Sequence, residues 1–277
     1  MTQLAIPARS ESRMFHVALL LAGILLATAA AWLTVAQRMK GMDGGPGGDP
    51  GALGWFAGTW ALMTAAMMLP VAAPALLRVS HGWPSGAAAR APAFLLGYGA
   101  VWMLAGVAGY ACVQAARSVH AGALGWSAAG SYLAAAAVAA AGLYQLTAVK
   151  RRWLARCTAQ DLPRRREGIG GALMAGVEHG GCCVACCWTL MAALYALGMM
   201  SVTWMALVTV LIVGERMLPR AAPAVLAVGA VLLALGAAIA ISPAAVPALT
   251  IPSRAHSAMM QMPMHVPTPV PGAPTSR

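Results

Sequence analysis

Seven apolar runs punctuate the chain, at about residues 14–37, 56–77, 92–114, 124–149, 170–197, 202–217 and 221–241. Charged positions are scarce inside the runs and gather between them. Each run is near the roughly 20 residues that an α-helix needs to cross a bilayer. The pattern predicts an all-α fold, a polytopic bundle of about seven transmembrane helices. The sixth run is short. Its boundary with the fifth, near Gly198, leaves a six-helix version open in which the two form a re-entrant pair.

Composition strengthens this picture. Hydrophobic residues make up 60% of the 277 and charged residues 9%, against about 25% charged in ordinary soluble domains. The 18 Lys and Arg outnumber the 7 Asp and Glu. No basic stripe is interleaved with aromatics, so nucleic acid is not the expected partner. The bias instead sets orientation, because short cytoplasmic loops collect Lys and Arg. With a cytoplasmic N-terminus, 13 of the 18 basic residues fall inside, led by the basic loop from Lys150 to Arg166. The expected location is therefore a bacterial inner (cytoplasmic) membrane, with lipid as one partner. The first run follows Arg9 and Arg13 like a secretory signal, but it is longer than a signal core and reads as an anchor.

The expected layout is a cytoplasmic N-terminus (1–13), one membrane domain (14–241) and a flexible outer tail (242–277) rich in Met, His and Pro. Abundant Ala and Gly suit close helix packing in a membrane.

The densest chemistry lies in the fifth run: Glu178-His179-Gly180-Gly181-Cys182-Cys183-Val184-Ala185-Cys186-Cys187-Trp188. On a helix at about 100° per residue, His179, Cys182, Cys183, Cys186 and Cys187 share an arc of about 140°. Neighbours three and four apart meet on one face, so two or three donors are expected around one ion. Thiolates select soft metals, namely Cu(I), zinc or iron–sulfur clusters. A bound cation also offsets the cost of thiolates in lipid. The bland alternative is packing, since cysteine is a small hydrophobe, but four within six residues beside a His favours metal or redox chemistry. Cys112 and Cys157 stand alone and suggest no role.

The second run adds Trp60, Met63, Met67 and Met68, followed by Pro70 and Pro74. Thioethers are neutral soft ligands, so Met63, Met67 and Met68 are candidates for a second metal site, with core packing as the competing reading. Buried prolines free backbone carbonyls where a helix lines a cavity. The tail carries His256, Met259, Met260, Met262, Met264 and His265, an exposed tract suited to copper capture. Glu178 and Glu215 are the acids within or beside apolar runs. Each is a candidate for supporting the ligands or relaying protons, and an interfacial ion pair with Arg216 is the alternative for Glu215. Tyr144 and Gln145 need partners on another helix.

Several of these stretches occur in a familiar order: Trp60 to Pro70, Gly97 to Trp102, Ala141 to Gln145, Cys183 to Met191, Gly198 to Met205, and Glu215. In these the chain resembles the predicted metal-binding integral membrane proteins, a domain of unknown function often named copper chaperone. The resemblance covers residues 56–217. It implies metal binding, with copper as Cu(I) ahead of zinc, and a cuproprotein or copper carrier as partner. The family carries a Cys pair after the Lys matching Lys150. Here Trp153 stands at the first of those positions and Cys157 at the second, while Cys182 is additional.

The leading expectation is a copper chaperone or delivery factor, not an enzyme. Its ligands would be Cys183, Cys186, Cys187, His179 and Cys182. A copper permease is one alternative. Another is a membrane thiol–disulfide oxidoreductase using Cys183 and Cys186, although such chemistry usually needs a second, shuttling Cys pair.

Overall fold

A computed structural model describes residues 8–40, 51–80, 87–120, 126–159, 168–198, 201–217 and 221–242. The described residues form eight helices and no strand: α1 (Ala8–Arg38), α2 (Leu53–Ser80), α3 (Ala87–His120), α4 (Trp126–Gln145), α5 (Ala148–Ala159), α6 (Gly168–Gly198), α7 (Val202–Met217) and α8 (Ala221–Ile241). The all-α expectation holds. The tail tract from His256 to His265 lies outside the described residues.

Five helices are long and apolar enough to cross a membrane, within α1, α2, α3, α6 and α8. One further pair passes the same test of length and composition only together: α4 and α5, which bend by 66° at their junction, as a broken span or a re-entrant pair does. At about 1.5 Å per residue, the 16 residues of α7 reach about 24 Å, less than the roughly 30 Å of a hydrocarbon core. The six-helix alternative put a re-entrant pair at the fifth and sixth runs, but the bent pair is α4 and α5. The break lies earlier, between α4 and α5.

Local chemistry explains that break. Thr147 Oγ1 accepts from the Lys150 backbone N–H at 3.2 Å, an N-cap that starts α5. The same hydroxyl donates to the Tyr144 carbonyl at 2.7 Å, and the Leu146 and Thr147 amides bond three residues back, closing α4 with a tight turn. This corrects the basic loop expected from Lys150. Residues 148–159 are helical, and Lys150 is fully buried.

The bundle is centred on α2 and α6. The most apolar window of each is 61% buried, against 11% for α1, which packs beside α2. Helix α3 lies along α6 through glycines. A Cβ at Gly97 would come 2.1 Å from the Leu173 carbonyl, and one at Gly176 would come 2.0 Å from that of Phe94. Gly180 further along α6 meets Tyr98 and Val101 further along α3, so the two helices run parallel. Small residues bring the backbones this close, and dispersion then stands in for the hydrophobic effect that lipid cannot supply. Helices α4 and α8 pack antiparallel through Gly142, Gly229 and Gly236.

Candidate metal centre

The thiol face of α6 points into the bundle. Cys182, Cys183, Cys186 and Cys187 are all buried and all free, and they share one apolar core with Met63, Met67 and Met68 of α2. Trp188, on the opposite side of the helix, is exposed and sets its edge against Tyr144. The expected arc is therefore the inward arc.

Cys186 is the hub. Its Sγ lies 3.4 Å from Cys187 Sγ and 3.9 Å from Cys157 Sγ. The sulfur also approaches the Cys183 carbonyl at 3.2 Å and accepts from the Arg216 guanidinium at 3.1 Å. Cys183 Sγ meets the Tyr98 hydroxyl of α3 at 3.3 Å, and Cys182 Sγ lies 3.8 Å from the Trp153 carbonyl of α5.

His179 is buried one turn before Cys183. Its ring stacks on Tyr98, with centroids 5.6 Å apart, and lies 6.0 Å from Phe94. The imidazole thus belongs to the α3–α6 seam. Among the described residues no three or more His, Cys, Asp or Glu side chains form a ready-made metal cage. Of the two or three donors expected around one ion, the structure brings the Cys186 sulfur within 4 Å of two others, those of Cys187 and Cys157.

A polar network sits directly against the hub. Lys150 Nζ donates to the Cys186 carbonyl at 2.6 Å and pairs with Glu215 Oε2 at 2.7 Å. Gln145 Nε2 donates to the other carboxylate oxygen, and the Tyr144 hydroxyl donates to the Ala185 carbonyl at 2.8 Å. Tyr144 and Gln145 thus find the partners they need, on α6 and α7. The alternative reading of Glu215, an ion pair with its neighbour Arg216, gives way to a pair with Lys150, and the Arg216 guanidinium reaches a sulfur. Glu178 lies on the exposed side of α6.

Cys157, Lys150 and Arg216 were not placed beside the α6 thiols from sequence, although the resemblance marked the positions of Lys150 and Cys157. A signal existed. Lys150, Leu154 and Cys157 recur at i, i+4 and i+7, and all three are buried. That is a helical stripe hidden within a basic stretch.

Met63, Met67 and Met68 are each buried to within 1%. Trp60 beside them donates its indole N–H to the Trp102 carbonyl at 2.8 Å, and its ring covers Gly106. Met191 and Met205 enter the same core.

The fold and site define a helical bundle with membrane-length apolar helices and a thiol cluster at its centre. A family model described as copper chaperone (PpoB2) matches residues 57–239, and the chain belongs to that family. No curated protein and no solved structure matches it.

Proposed function

We propose that the protein binds copper as Cu(I) on the buried thiols around Cys186 and delivers it to a cuproprotein or copper carrier. One observation carries the reading: Cys186 stands within 4 Å of a thiol from its own helix and a thiol from α5, with a guanidinium against its sulfur. Soft thiolates in an apolar interior suit Cu(I), and a nearby cation favours the thiolate. Zinc is the less favoured ion, since its structural sites take four ligands. Met63, Met67 and Met68 form a neutral thioether store beside the thiols. The tail from His256 to His265 collects copper on the outer face, the N-terminus lies in the cytoplasm, and seven segments cross or enter an inner membrane.

Burial weighs against the oxidoreductase alternative. Thiol exchange needs access to the attacked sulfur, and Cys183 and Cys186 are both 0% exposed. The family description favours delivery over a permease.

The test is an anaerobic Cu(I) titration of detergent-purified protein against a chromophoric chelator. Wild type would be compared with a variant carrying Ser at Cys182, Cys183, Cys186 and Cys187, and with a chain truncated after Pro252. Tight binding lost in the Ser variant and kept in the truncation is the expected result. Tight binding lost on truncation alone would move the site to the tail.

A further inference from the structure

Resting on the copper reading, we infer that Lys150, Glu215 and Arg216 form a charge filter. It fits the thiol site to a singly charged soft ion held by two thiolates, Cys157 and Cys186, and disfavours divalent ions.

The geometry comes first. Adjacent side chains on one helix diverge by about 100°, so Cys186 and Cys187 cannot approach an ion from opposite sides. Cys157 and Cys186 come from two helices packed face to face, with sulfurs 3.9 Å apart. That arrangement suits a two-coordinate ion lying between α5 and α6.

The charges then select the ion. Lys150 and Arg216 are cationic, Glu215 is anionic, and all three touch each other or the Cys186 residue. Together they leave one positive charge. When the ion binds, both thiols release protons to solvent and the thiolates contribute two negative charges. A monovalent ion makes the whole set neutral. A divalent ion leaves one positive charge uncompensated, or demands a third thiolate. Among the described residues no group of three or more His, Cys, Asp or Glu is arranged to hold a metal ion, and the third sulfur beside Cys186, that of Cys187 at 3.4 Å, follows it directly on the same helix. An unbalanced charge in a low-dielectric interior is strongly disfavoured. Arg216 cannot be deprotonated in a protein, so its contribution is fixed.

The experiment measures the ratio of Ag(I) to Cd(II) affinity by competition in the full-length detergent-purified protein. Both are soft and redox-inert, and they differ in charge. R216Q removes the excess positive charge, and the ratio is expected to fall at least about tenfold, since one charge at contact range is worth more than the 1.4 kcal/mol of a tenfold change. E215Q adds a positive charge, and the ratio is expected to rise. K150M/E215Q removes one charge of each sign, and the ratio should stay near wild type. R216K should restore it. Size-exclusion profiles report folding, and where R216Q fails to fold, E215Q and the double variant carry the test. Unchanged ratios in folded R216Q and E215Q would overturn the filter, as would a double variant that shifts as far as R216Q. Failure of the copper reading looks different: wild type then binds neither Cu(I) nor Ag(I), or C157S/C186S binds as wild type does.

Discussion

Lys150 Nζ sits 2.7 Å from Glu215 Oε2, and neither side chain is exposed beyond 1%. The two residues belong to α5 and α7 and meet beside the carbonyl of Cys186 on α6. A buried pair of this kind costs desolvation when it forms, but removing one partner strands the other charge.

Glu215→Ala is therefore expected to destabilise the bundle by about 3–5 kcal/mol. The double K150M/E215L change should recover most of that loss, because no buried charge remains. Thermal unfolding followed by tryptophan fluorescence in detergent would show both effects.

Thr147 caps α5. Thr147→Ala is expected to cost about 1 kcal/mol and to loosen the first turn of the helix that presents Cys157. Cu(I) affinity should fall with it, and Thr147→Ser should restore both. Affinity unchanged in Thr147→Ala would separate α5 from the metal site.

Gly176 lies where a Cβ would meet the Phe94 carbonyl at 2.0 Å. Gly176→Leu must push α3 away from α6, and overpacking of this kind costs about 1–3 kcal/mol or more. A lower midpoint and a broadened size-exclusion peak are the expected outcomes. The substitution Gly181→Ala, where a Cβ meets nothing within 4 Å, is the control.

Cys112 is exposed, while the other five cysteines are buried. In reduced, detergent-solubilised protein, a maleimide should label Cys112 quickly and the cluster only as the bundle opens. Mass spectrometry of timed samples would check the order. Early labelling of Cys186 would contradict its burial.

Sequence periodicity revealed most of the helices because apolar length is a local property. It also placed the α6 thiols on one face, which the structure turns inward. The partners of that face were hidden. Lys150 and Cys157 lie in a stretch whose density of Arg and Lys signals a cytoplasmic loop, and only pairing with Glu215, distant in sequence, makes the burial of Lys150 affordable. Arg216 looked like a partner for Glu215 because it is adjacent, yet successive helical residues diverge and reach different helices. The span count was less legible because the turn at Leu146–Thr147 interrupts an apolar run that continues past the end of α4 into α5.

The central claim is that copper is held by sulfur between α5 and α6. Copper K-edge X-ray absorption on the Cu(I)-loaded full-length protein tests it most directly. The expected spectrum is a low-coordinate shell of sulfur alone, abolished in C157S/C186S and unchanged in the chain truncated after Pro252. A shell dominated by nitrogen, or a sulfur shell that survives C157S/C186S and disappears on truncation, would contradict it.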